Sequence, residues 1–256
     1  MKVRILGCGT STGVPVIGCT CSACVSSHPG NKRTRSSIAL ELTDKTILID
    51  TSTDLRMQAL ASNLTRVNAV LYTHHHADHI HGIDDLRSYN RIQDEETIPC
   101  YGNKETTDRI LRSFEYIFAT KGSKFEGGWK PNLSIEVIDG PFTLFGKEII
   151  PIKIEHGPRT ILGFRIENFA YLTDCSGIPD ESMELLKGTE VVVIGALRQR
   201  PHPSHFSISQ ALEAASLIGA KKTILTHLGH AVDYEEINPT LPDNAELGFD
   251  TMTIEL

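Results

Sequence analysis

The chain has 256 residues, and 25 Lys and Arg stand against 32 Asp and Glu for a formal net charge of −7. That length fits one large α/β domain or two small ones with a substantial buried core. The acidic balance argues against a broad phosphate-tracking surface, and so against bulk nucleic-acid binding, while leaving room for a pocket built from a few Arg and Lys.

The opening residues, MKVRILGCGT, carry neither a long apolar core nor a small-residue cleavage site. No apolar run reaches the ~20 residues needed to cross a bilayer, so the expectation is a cytoplasmic chain with no membrane partner. Strands are predicted at Val3–Leu6, Ser37–Leu42, Thr46–Asp50 and Ala69–Tyr72, with helical periodicity at Asp54–Asn63 and Thr106–Ala119. Lys121–Pro131 (KGSKFEGGWKP) surrounds the single Trp with Gly and Lys and reads as a solvated loop, or as a flap over a site. Further strands are predicted at Glu148–Glu155, Leu162–Glu167, Phe169–Leu172, Val191–Gly195 and Thr223–Leu225, and helices at Asp180–Leu186 and Ser209–Ile218. Hairpins in the middle and strand–helix alternation later suggest two sheets with helices outside them, in one domain over residues 1–256.

The run Thr73-His74-His75-His76-Ala77-Asp78-His79 directly follows the apolar strand Ala69–Tyr72. Four histidines within six positions, joined by a carboxylate, form the ligand set of a borderline divalent metal. As the chain turns beyond the strand, His74 and His76 can aim at one ion while Asp78 and His79, opening the next helix, aim at a second. Further ligands should stand at other strand ends, and His156, Asp174 and His227 do so. Three of the six cysteines, Cys19, Cys21 and Cys24, are crowded together, a spacing suited to a metal rather than to a disulfide ladder. Cys8, Cys100 and Cys175 read as small apolar residues.

An H-x-H-x-D-H run after a strand, followed by a His, an Asp and a His at strand ends, resembles the metallo-β-lactamase superfamily. The resemblance extends from the opening strand to His227. It implies a four-layer αββα sandwich with the metals at one edge of the paired sheets. It also implies that His74, His76 and His156 bind one metal, that Asp78, His79 and His227 bind the other, and that Asp174 bridges them. Asp50 corresponds to a carboxylate that orients a liganding His. The glycine usual two positions later is replaced, since the chain reads Asp50-Thr51-Ser52.

The segments Gly7-Cys8-Gly9-Thr10-Ser11-Thr12-Gly13-Val14-Pro15 and Gly18-Cys19-Thr20-Cys21-Ser22-Ala23-Cys24 are similar to the opening of the PhnP branch, the phosphoribosyl cyclic phosphate phosphodiesterases. That similarity implies a structural zinc on Cys19, Cys21, Cys24 and His230. Phosphodiesterases of the superfamily also carry a non-ligand His at the position matching His205, which donates a proton to the leaving oxygen or stabilises charge on the phosphoryl group. Arg198, Arg200 and Arg159 are candidates for phosphate binding, because guanidinium forks match phosphate oxygens.

The implied enzyme is a dinuclear hydrolase of a small phosphodiester, with a cyclic one such as a phosphoribosyl cyclic phosphate foremost. It uses two divalent ions (zinc, manganese or iron) whose shared hydroxide forms near pH ~7; catalytic weight falls on Asp78 and His205. The alternatives are a tRNA 3′-processing-type endonuclease, for which no basic RNA-gripping insertion is present, a lactone or thioester hydrolase, and a non-enzymatic metal-binding or sensor protein. Dimers are common in the superfamily, so a homodimer belongs to the expectation.

Overall fold

Short strands with every second side chain apolar on one face, and often on both, pack into sheets covered on both sides. The computed structural model describes residues 1–119 and 128–256, so most of the segment read as a flap lies outside the described residues. In chain order the strands are β1 Lys2–Gly7, β2 Ser37–Glu41, β3 Thr46–Ile49, β4 Ala69–Leu71, β5 Ile98–Gly102, β6 Leu133–Val137, β7 Phe142–Leu144, β8 Lys147–His156, β9 Arg159–Ile166, β10 Phe169–Leu172, β11 Val191–Gly195, β12 Lys222–Thr226, β13 Ala245–Leu247 and β14 Thr253–Glu255. The helices are α1 Ser22–Val25, α2 Leu55–Ser62, α3 Ala77–Ile80, α4 Leu86–Ile92, α5 Lys104–Ser113, α6 Glu115–Phe118, α7 Asp180–Leu186, α8 Ile208–Ile218 and α9 Tyr234–Ile237. No helix among the described residues is long and apolar enough to cross a membrane.

One sheet runs β14-β1-β2-β3-β4-β5-β6 and the other β13-β12-β11-β10-β9-β8-β7. Each changes character partway. β1 to β3 and β7 to β10 pair antiparallel, whereas β3 to β6 and β10 to β13 pair parallel. Parallel pairing requires crossovers, and these carry the helices to the outer faces. Ile47 and Ile49 of β3 join Phe164, Tyr171 and Ile224 in the core between the sheets, while Leu48 faces Leu55, Ile83 and Leu86 in an outer layer. On the other side Leu172, Ile194 and Leu225 pack under Ile208, Ala211 and Ala215 of α8. The result is the expected αββα sandwich. Its crevice opens at the carboxyl ends of the strands where antiparallel pairing gives way to parallel, the usual ligand position in α/β sheets.

The helix read over Thr106–Ala119 is two helices, because the backbone breaks at Phe114 (φ −124°, ψ 42°). Its start lies earlier because the Asn103 side chain accepts from the Thr106 amide at 2.9 Å and caps α5. β5, β6, β7, β13 and β14 escape the sequence reading. β5 contains Pro99, β6 has no fully buried side chain, and the others are three residues long. α8 begins at a capping box formed by Ser207 and Gln210 and ends at Gly219 with φ 83°.

Candidate metal centre

Strand ends supply most of the cluster. His74 and His76 lie in the turn after β4, Asp78 and His79 in α3, and His156 closes β8; Asp174 follows β10, and His227 follows β12. Three of these ends turn through left-handed backbone, at Asp50 (φ 63°), Asp174 (φ 59°) and His227 (φ 56°). Such conformations cost about 1–3 kcal/mol each, a strain that sites of function accumulate.

The side chains form two groups with a shared member: His74, His76, His156 and Asp174, and then Asp78, His79, Asp174 and His227. Within each group the donor atoms lie within 4.8 Å of one another. Asp174 reaches both ways, with Oδ2 3.7 Å from His74 Nε2 and Oδ1 3.5 Å from His79 Nε2. His79 Nε2 is 3.4 Å from Asp78 Oδ2, and His227 Nε2 is 3.8 Å from it. A tetrahedral ion separates nitrogen and oxygen ligands by about 3.4 Å, which these distances bracket. His227 Nε2 lies 3.0 Å from Asp174 Oδ1, yet the carboxylate is off the nitrogen's hydrogen-bond direction, so this atom is buried without a partner. His79 Nε2 is orphaned in the same way. Buried polar atoms that converge without bonding one another fit a shared cation.

The outward nitrogens of His74, His79 and His156 are held. His79 Nδ1 donates to Asp50 Oδ2 at 2.7 Å, and His156 Nδ1 to the Ser204 carbonyl at 2.8 Å. Thr73 donates its amide to Asp50 Oδ1 and its hydroxyl to Asp50 Oδ2, and that hydroxyl lies 3.0 Å from His74 Nδ1. These partners hold the Nε2 atoms inward. Asp50 was legible in the sequence; Thr73 and the Ser204 carbonyl were not, although Thr73 abuts the histidine run.

Electrostatics point the same way. Burial holds His74 well below the usual imidazole range and lowers His76. Burial would raise Asp174 and Asp78, but His227 and His79 beside the first, and His79 and His227 beside the second, keep both carboxyls ionised. Burial pulls His79 down too, and Asp174, Asp78 and Asp50 overcome it and raise it.

His205 sits between the groups. Its ring centroid is 4.8 Å from that of His156 and 4.9 Å from that of His227, stacked on the latter at 16°. Burial, and then the charge of His227, bring its pKa down to about 3. Arg159 reaches the rim, where Nη1 donates to His75 Nε2 at 3.0 Å. Arg198 instead donates to the carbonyls of Arg200 and Pro201 and lines a small hollow with Thr10, Gly229 and His230; Arg200 is exposed. An apolar hollow between α2 and α4, lined by Leu55, Leu60, Tyr89 and Ile92, shares no residue with the cluster.

Cys19, Cys21, Cys24 and His230 form a third group. His230 Nδ1 lies 3.2, 3.5 and 3.8 Å from the three sulfurs. A tetrahedral zinc places nitrogen and sulfur ligands about 3.6 Å apart. A hydrogen bond from the Cys24 amide, aided by Cys19, Cys24 and His230, lowers Cys21 to about 7, towards the thiolate a metal requires. Cys8, Cys100 and Cys175 are buried, the last within the core under α8.

A family model described as a beta-lactamase superfamily domain matches residues 45–228. A crystal structure described as a new diphosphatase from the PhnP family is 38% identical and superposes with a TM-score of 0.91, covering 100% of this chain and 97% of that one. A protein of Porphyromonas gingivalis named octanoyltransferase is 38% identical over 254 residues, 98% of this chain and 50% of its own length. The chain thus spans about half of that relative. Zinc-bound PqqB from Methylobacterium extorquens shares the fold at a TM-score of 0.78 and 18% identity, with each chain covered 100%. The order of the candidate ligands, the sheet order and the family match agree that the chain belongs to the metallo-β-lactamase superfamily and, within it, to the PhnP family.

Proposed function

We propose that the chain, acting as one domain over residues 1–256, is a dinuclear metal-dependent phosphodiesterase for a small phosphodiester, with a cyclic sugar phosphate such as a phosphoribosyl cyclic phosphate as the leading candidate. His74, His76 and His156 would hold one ion, Asp78, His79 and His227 the other, and Asp174 both. Zinc, manganese and iron all suit these ligands. A structural zinc would sit on Cys19, Cys21, Cys24 and His230. When bound, two divalent ions supply an activated water at neutral pH and offset negative charge on the phosphoryl oxygens.

The observation that carries the phosphoryl reading is His205, which belongs to neither ligand group yet packs on one histidine of each. From there its N–H can donate to a phosphoryl or leaving oxygen bound across the pair. Asp174 keeps the two ligand groups in register, and Asp50, Thr73 and the Ser204 carbonyl hold the imidazoles in the tautomer that faces inward. The relative described as a diphosphatase supports hydrolysis at phosphorus, the coarser part of this reading. The acyl transfer named for the P. gingivalis protein is not carried over, since half of that protein lies outside the match.

The test is hydrolysis of bis(p-nitrophenyl) phosphate by the metal-stripped chain resupplied with zinc or manganese, beside a lactone and a thioester. Metal-dependent cleavage of the diester alone is expected. Cleavage of only the lactone or thioester would overturn the phosphoryl reading while leaving the hydrolase intact.

A further inference from the structure

Four histidines occupy positions 74–79, and the ligand groups use three of them. His75 is left over, between two ligands in sequence and half-buried at the rim. Its imidazole meets Arg159 and Glu105. Nη1 of Arg159 donates to His75 Nε2 at 3.0 Å, and Glu105 Oε1, on α5, lies 3.8 Å from His75 Nδ1 and 4.0 Å from Arg159 Nη1. Arg159 opens β9 and is paired across the β8–β9 hairpin with His156, a member of the first ligand group. The guanidinium is therefore held on two sides, by the turn that carries His74 and His76 and by the hairpin that carries His156. Among the described residues its Nε and Nη2 have no partner, and the side chain is half exposed.

An exposed arginine ordinarily loses much rotamer freedom when it engages a ligand, and a side chain already held in place loses less. We propose that His75 is a positioning residue, which fixes Arg159 at the rim so that its remaining N–H groups present a ready fork to an anionic oxygen of the substrate. This rests on the phosphodiesterase reading above. The role needs no charge on His75, because a neutral ring accepts at Nε2 and directs its Nδ1–H towards Glu105. It also accounts for a histidine where neither metal needs one.

The experiment compares His75→Leu, His75→Gln and Arg159→Leu in the metal-loaded chain. Metal content, steady-state kinetics on bis(p-nitrophenyl) phosphate and the Kd of inorganic phosphate by calorimetry are measured for each. For His75→Leu we expect unchanged metal content and KM and phosphate Kd raised roughly five- to tenfold, the scale of one ordinary hydrogen bond. The loss should fall on KM rather than on kcat. His75→Gln, whose amide oxygen can accept from Arg159, should restore most of the affinity, and the double variant with Arg159→Leu should lose no more than Arg159→Leu alone. An unchanged phosphate Kd in His75→Leu, additive losses in the double variant, or loss of metal from His75→Leu would each overturn the assignment. Should the native chain cleave no diester, the phosphodiesterase reading fails by itself, and the phosphate titration still decides whether His75 sets the grip of Arg159.

Discussion

Asp78 and His205 lie within one cluster and are expected to fail in opposite ways. Asp78 stands 3.4 Å from His79 Nε2 and 3.8 Å from His227 Nε2, and it belongs to one ligand group only. Asp78→Ala should bring metal content towards one ion per chain in that cluster and abolish hydrolysis, as read by elemental analysis beside turnover. Unchanged turnover would remove the second ion from the mechanism. His205 donates to no ligand group, so His205→Ala should keep its metal and lose roughly 10²-fold in kcat, the usual contribution of a group that handles a proton or hydrogen bond at the reacting centre. A variant that loses metal in proportion to activity would make His205 a support for the ligands instead.

Among the elements, the N-terminal loop has the furthest reach. Leu228 donates its amide to the Cys8 carbonyl at 2.8 Å, Thr10 donates back to Leu228 at 3.2 Å, and the buried Arg33 donates to the Gly229 carbonyl at 3.1 Å. The segment 227–230 thus hangs between His227 of the cluster and His230 beside the three cysteines. Cys21→Ser should remove one zinc, lower the Tm, and weaken retention of the ion facing His227. Titration with a chelator while zinc release is followed tests this, and a variant that still holds three ions would show that the cysteines bind none. Much of this was legible in the sequence, because metal ligands announce themselves by residue type and by their place after an apolar strand. His74, His76, Asp78 and His79 are contiguous, and His156 and His227 each end or follow a predicted strand. Of the contacts that fix the imidazoles, Asp50 was legible but the Ser204 carbonyl was not, since it is a backbone oxygen met by a side chain remote in sequence, as the Gly229 carbonyl is by Arg33. The edge strands β7, β13 and β14 were lost for a related reason. Three residues carry no period, and they become strands only when a neighbouring strand offers its free edge.

Across the whole molecule the cluster joins the two sheets. His74, His76, Asp78 and His79 hang from β4, and His156, Asp174 and His227 from β8, β10 and β12. Each ligand group draws on both sheets, so bound ions would act as staples across the sandwich in addition to their chemistry. Without them, the ionised carboxylates of Asp78 and Asp174 remain buried close together, a cost that a cation relieves. An ion at a hundred times its Kd adds about 2.7 kcal/mol to stability. For a chain of this size one kcal/mol moves the Tm by about 2–4 °C, so stripping should lower it by roughly 5–10 °C per ion. The core between the sheets and the layers outside them are built without the cluster, so the far-ultraviolet circular dichroism should hardly change on stripping, and added zinc or manganese should restore the Tm. Asp174→Asn, which removes the charge shared by both groups, should blunt most of that recovery. If the stripped and reloaded proteins melt together, the ligands are held by the fold alone and the stapling role is lost.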